Sequence, residues 1–223
     1  KIRNTFRFLL GNLADFDPEV NSVQYEKMFE VDQFMMCKLN ELVKEVHESY
    51  NKYEFDEVYR NVLNFITNEL SAFYLDFTKD ILYIEAEDSL ERRSIQTVLY
   101  NTLYSLITLL TPIIPHTTEE VYQYLPGKKL ESVYLCDMVK STYYINSDEL
   151  MDKYEKLLKV RDDVLKALEV ARNEKIIGKS LNAKVTFVPN DEVTKLLASI
   201  KADLKQIFIV SEFNVVTEDI DAA

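Results

Sequence analysis

Apolar residues recur at helical spacing along most of the chain, and that spacing predicts a bundle of helices. Residues 1–14 place Ile2, Phe6, Leu9, Leu10 and Leu13 on one side and Arg3 and Arg7 one turn apart on another. After a loop at residues 15–21 that contains Pro18, a second helix is predicted over about 28–52. A third begins near Phe55 and carries apolar residues at positions 55, 58, 59, 62, 66, 70, 73 and 77, a helical stripe. A fourth covers about 89–111. A short fifth follows Pro115, with Thr117 or Thr118 as N-cap and Glu119 and Glu120 in the first turn, where acids suit the helix dipole.

Residues 126–147 have no period and read as a long crossing loop. Residues 148–176 then form another long helix ending at Gly178, a left-handed cap, with surface pairs Glu155/Lys159 and Asp162/Lys166 at i, i+4. The character changes beyond it. Residues 184–188 alternate like a strand, 191–198 are helical, and 206–210 and 213–216 are apolar and β-rich. The fold class expected is mainly α: a helical bundle over residues 1–146, then a long helix with a small mixed α/β unit over residues 147–223.

Composition narrows this picture. Of 223 residues 47% are apolar, enough for a sizeable core, and only three glycines and five prolines punctuate them, which disfavours strand-and-turn architectures. Residues 97–115 lack charge and approach the length of a membrane span, but Thr97, Asn101, Ser105, Thr108 and Pro112 draw a mildly polar stripe through them. A central bundle helix is the better reading. Cys37 and Cys136 lie far apart and outside any zinc or redox motif. There is no glycosylation sequon and no hydrophobic leader, so reduced cysteines and a cytoplasmic location are expected.

Catalytic chemistry is sought without success. His47 stands between Glu45 and Glu48 and is expected to face solvent; His116 is expected to cap or pack at a helix start. Gly178, Lys179 and Ser180 lack the earlier glycine of a phosphate-binding loop, since position 173 is Asn. Glu119/Glu120 and Asp162/Asp163 diverge around their helices and do not converge on one ion. No catalytic, cofactor or metal residue is expected. Tyr50, Tyr53, Phe55 and Tyr59 could stack on bases, but their helical spacing is read as core.

The formal charge of −12 argues against nucleic acid until its distribution is examined. Residues 13–91 hold 6 basic against 19 acidic side chains, residues 92–223 hold 17 against 19, and residues 1–12 hold Lys1, Arg3 and Arg7 with no acid. Lys1, Arg3, Asn4 and Arg7 are therefore the leading candidate surface, because two arginines one turn apart can bracket neighbouring phosphates. The plain alternative is a solvated helix face or ion pairs to the acidic segment. Arg172, Lys175, Lys179 and Lys184 make a second basic edge, for which the plain alternative is cations at a helix C-terminus.

Four strings then speak more specifically: KIRNTFRFLLGNLADF at the start, NFITNELSAFYLDFTKDILY at 64–83, RRSIQTVLY at 92–100 with PIIPHTTEEVY at 112–122, and RDDVLKALEVARNEKIIGKSLNAKV at 161–185. Together, and in this order, they resemble the isoleucyl-tRNA synthetase family, particularly its bacterial form. Phe34 and Tyr122 stand where relatives commonly carry Trp, and packing is expected to survive the exchange. The resemblance implies a helical bundle that grips the anticodon stem and loop of tRNA(Ile), followed by a small α/β unit. It further implies a piece bounded on both sides, with the catalytic domain upstream and a zinc module downstream of Asp221-Ala222-Ala223. ATP, magnesium and zinc are then expected only in the full-length parent. On this reading Lys1, Arg3, Asn4 and Arg7 supply backbone contacts to tRNA, helped by Arg92, Arg93 and the Arg172 to Lys184 edge. The rival expectation is a helical protein-protein interaction module that does not bind RNA.

Overall fold

A computed structural model describes residues 1–216; the closing Asp221-Ala222-Ala223 lie outside the described residues. Two units emerge, Lys1–Ile145 and Asn146–Ala223.

The first unit is the bundle. Its helices are α1 (Ile2–Gly11), the short α2 (Pro18–Asn21), α3 (Glu30–Asn51), α4 (Phe55–Asn64), α5 (Asp76–Ile84), α6 (Leu90–Leu110) and α7 (Pro115–Gln123). Between α4 and α5 the residues Phe65–Leu75 wind as a π-helix, so the third predicted helix runs on unbroken. Buried Phe65, Leu70 and Tyr74 recur there at spacings of five and four, which suits the wider winding. Helix α6 is central and packs against α1, α3, α5 and α7. Its stripe of Thr97, Ser105 and Thr108 is buried, and the Thr97 and Thr108 hydroxyls donate back to the Arg93 and Ser105 carbonyls. Phe34 and Tyr122 fill fully buried positions.

The core also encloses a carboxylate. Asp32 of α3 accepts hydrogen bonds from the Tyr74 hydroxyl, at 2.6 Å, and from the Ser94 hydroxyl, which joins α3, the π-helix and α6. With no cation beside it among the described residues, burial pushes its pKa up to about 6.

The crossing segment after α7 has only a short 3₁₀ turn, Val133–Leu135, yet it is strapped down along its length. Glu119 accepts from the Ser132 hydroxyl and the Val133 amide, both at 2.9 Å, and the Lys129 ammonium donates to the Tyr122 and Leu125 carbonyls. Farther on, the Asn40 side chain accepts from the Thr142 amide, and Tyr144 stacks on Tyr25 with ring centroids 4.0 Å apart. His47 belongs to this strap. Its Nε2 lies 2.6 Å from the Val139 carbonyl, which corrects the expectation of a solvent-facing histidine. Gly127 has φ +88°, and a Cβ there would lie 2.3 Å from the Pro18 ring, so only glycine fits.

Other local expectations are corrected as well. Helix α7 begins at Pro115 with Ile114 as N-cap, and Thr118 is buried with its hydroxyl turned to the Pro115 carbonyl. Proline supplies the first helical φ without needing a donor, so no hydroxyl cap is required. Tyr53, Phe55 and Tyr59 are exposed, Tyr53 by 80%, and are not core. They cluster where α3 ends and α4 begins, and Tyr53 takes the left-handed conformation, φ 60°, that closes α3.

The second unit opens with α8 (Ser147–Asn173), on which Lys166 pairs with Asp163 at i, i+3. The helix stops before Gly178, which nothing crowds. Lys175 is the left-handed residue, φ 62°, with its amide donating to the Arg172 carbonyl and the Ile176 amide to the Ala171 carbonyl. The alternating run yields strand β1 (Lys184–Phe187) and the second β-rich run yields β2 (Glu212–Val215), and the two pair in parallel. Helices α9 (Asp191–Ser199) and α10 (Leu204–Phe208) make the crossover that a parallel pair demands. Residues 206–208 are therefore helical rather than extended. Asp203 caps α10 by accepting from the Lys205 amide, and the turn delivers Phe208 onto Phe213 at 4.2 Å.

Candidate nucleic-acid interface

Helix α1 is held by one face and offers the other. Phe6 and Leu9 are buried, as is Leu13 just past its end, while Lys1, Arg3, Asn4, Arg7, Gly11 and Ala14 are exposed. Asn4, Arg7 and Gly11 follow one another at three- and four-residue steps, so they share a face of α1 that carries no acid of its own. Among the described residues the side chains of Lys1, Asn4 and Arg7 make no hydrogen bond or ion pair. Arg3 does. Its Nη2 lies 3.1 and 3.0 Å from the two carboxylate oxygens of Glu120 on α7, an exposed pair with 67% and 55% of the side chains open to solvent.

Arg92 and Arg93 are turned inward, with 17% and 14% of their side chains exposed. Arg92 donates to the Leu82 carbonyl and to Asp15 at 3.1 Å; Arg93 donates to the Asp15 carbonyl at 2.9 Å and to Gln96 at 2.7 Å. Asp15 also accepts from Gln96, and burial, which raises its pKa, is outweighed by these donors and the Arg92 charge, so it ends below the usual range. The Nε of each arginine is buried without a partner among the described residues. Both side chains brace the loop after α1 against α6, and it is their burial that withholds them from a ligand.

The second unit carries its own basic edge. Arg172 donates to the Ser180 hydroxyl at 2.8 Å and Lys184 pairs with Glu212 at 3.0 Å. Lys175 and Lys179 are exposed and make no side-chain partnership among the described residues. In the first unit α1 carries Lys1, Arg3, Asn4 and Arg7 while Arg92 and Arg93 are mostly buried; in the second, Arg172 stands in the last turn of α8 and Lys175, Lys179 and Lys184 follow it.

The sequence pattern marks neither Glu120 as a binding-face residue nor Tyr53, Phe55 and Tyr59 as surface. The spacing of the aromatics suggests core, and the signal against it is the run Glu54, Asp56, Glu57 among them, which belongs to a solvated helix start. Nothing local points to Glu120, whose partner is 117 residues away.

Among the described residues no three His, Cys, Asp or Glu side chains gather, and the two thiols lie beside tyrosine hydroxyls, Cys37 at 3.3 Å from Tyr25 and Cys136 at 3.2 Å from Tyr122. No helix among the described residues is long and apolar enough to cross a membrane.

A family model described as the anticodon-binding domain of tRNA ligase matches residues 32–187, from the buried Asp32 to the end of β1. The chain is 55% identical over 213 residues to the isoleucine–tRNA ligases of Bacillus mycoides (strain KBAB4), Bacillus cereus (strain G9842) and Bacillus anthracis (strain A0248). Each alignment covers 96% of this chain and 23% of the relative, so the chain spans about a quarter of the length of these proteins.

Proposed function

We propose that this chain, which belongs to the anticodon-binding domains of tRNA ligases, holds the anticodon stem and loop of tRNA(Ile) and so positions that RNA for aminoacylation elsewhere in a longer enzyme. The observation that carries the reading is the outer face of α1, which has no acid of its own and on which Asn4 and the cations Lys1 and Arg7 are exposed with side chains unpaired among the described residues. Phosphodiester backbones are held by such groups, arginine above all, while base identity is read from unpaired loop bases. Lys175 and Lys179 supply a second phosphate-facing edge in the second unit. The partners in the reading are tRNA(Ile), a catalytic domain and a zinc module, and the ATP, magnesium and zinc of the reaction belong to those other parts of the parent protein.

Filter binding of a tRNA(Ile) transcript at several salt concentrations tests it. Affinity is expected to fall with salt, and Arg7→Ala is expected to weaken binding and flatten the log–log slope by about 0.7–0.9, the value of a single phosphate. Binding that is undetectable even at low salt would favour the rival protein-interaction module, for which exposed Tyr53, Phe55 and Tyr59 beside Glu54, Asp56 and Glu57 are the supporting feature.

A further inference from the structure

We propose that Glu120 is a built-in competitor for the RNA phosphate that Arg3 takes, so that tRNA engages the full α1 face only by displacing this carboxylate. The inference rests on the tRNA-binding reading above. Arg3 and Arg7 lie one turn apart on α1, a rise of about 6 Å, yet they are in different states: Arg7 has no partner among the described residues, and Arg3 holds both oxygens of Glu120 at 3.1 and 3.0 Å. A carboxylate presents the same two acceptor oxygens and the same sign of charge as a phosphodiester. It therefore marks where an RNA phosphate would sit.

Glu120 is also well placed to wait there. Helix α7 is fixed by buried Thr118, Val121 and Tyr122 and by the neighbouring Glu119, which anchors Ser132 and Val133 of the strap, so the carboxylate rides on a rigid support. Both members of the pair are more than half exposed, which keeps the pairing weak and open to exchange. An RNA that reaches Arg3 alone swaps one anion for another, with little net benefit. One that also reaches Arg7 and Lys1 meets cations with nothing to give up, so Glu120 raises the threshold for casual RNA without barring an RNA that fits the whole face.

The decisive experiment is a double-mutant cycle on the whole chain, with a tRNA(Ile) transcript titrated across salt. Glu120→Gln keeps the helix and the side-chain size while removing the competing charge. It is expected to tighten binding about 3- to 10-fold at moderate salt with little change in the salt slope, since Arg3 neutralises the same phosphate but no longer has to give up a carboxylate first. In the Arg3→Ala background the same change is expected to leave affinity unaltered, because there is no guanidinium to release. Equal tightening in both backgrounds would reduce Glu120 to a generic negative charge and overturn the inference, as would any loss of affinity in Glu120→Gln. If Arg7→Ala weakens binding while Glu120→Gln leaves it unchanged, only this inference falls; if neither changes it, the α1 reading falls with it.

Discussion

The bundle keeps an acid in its core, and the C-terminal unit keeps a base in its own. Asp32 is 1% exposed and is satisfied by two neutral hydroxyls, whereas Arg161 is 5% exposed and its Nε donates to the Ile207 carbonyl at 2.8 Å. The two solutions differ in kind. The Ile207 carbonyl lies in the last turn of α10, where carbonyls lack helical partners and carry the negative end of the dipole, so the guanidinium finds an acceptor already suited to a cation. Asp32 has no such complement, and burial without a counter-charge holds its proton more tightly. A buried carboxylate answered by neutral hydroxyls thus becomes sensitive to pH, while a buried guanidinium with a carbonyl acceptor keeps its charge.

Asp32 offers the largest test of that contrast. A folded pKa of about 6 against an ordinary 3.8 means the folded state holds the proton more tightly. The group's contribution is complete below the unfolded pKa and is lost as pH rises through the folded one. The loss is ~3 kcal/mol in all, roughly half of it between pH 5 and pH 7. Urea unfolding followed across that range should therefore show the bundle weakening with pH, and Asp32→Asn should flatten the slope; an unchanged slope in the variant would break the contrast.

Arg161→Met comes next, because it keeps an apolar stem and strands the Ile207 carbonyl. A cost of about 1–3 kcal/mol is expected. The loss should be read as faster amide exchange in α8, α10 and the two strands, with no pH dependence between pH 5 and 7. The smallest effect is a gain. Lys175 holds φ 62° at the end of α8 with its side chain in solvent, so Lys175→Gly should stabilise the second unit by about 0.5–1 kcal/mol, measured as a raised urea midpoint.

How legible these features are in the sequence varies with how local each cause is. The stripes of α3, α4 to α5 and α6 stand in the sequence because a helix that buries one face must repeat its apolar residues at that spacing. The strand at 213–216 is equally readable, while the run at 206–210 is not. Gln206, Ile207 and Phe208 have extended-chain propensity, but a parallel partner for β1 needs a crossover, and the Asp203 cap turns them into helix. The end of α8 is misplaced for a similar reason: Gly178 advertises a cap, and the Lys175 backbone makes it three residues earlier.

The candidate interface divides along the same line. Its basic opening helix, the order of the family strings and the helical class belong to the sequence by itself, because each is a matter of composition or of periodicity within a few turns. Only the tertiary structure decided that Arg92 and Arg93 are spent on Asp15, that His47 ties down the crossing strap, and that Arg3 meets Glu120. Those pairings join residues 77 to 117 positions apart, and which partner a long charged side chain finds depends on how helices stack, a property no local pattern encodes.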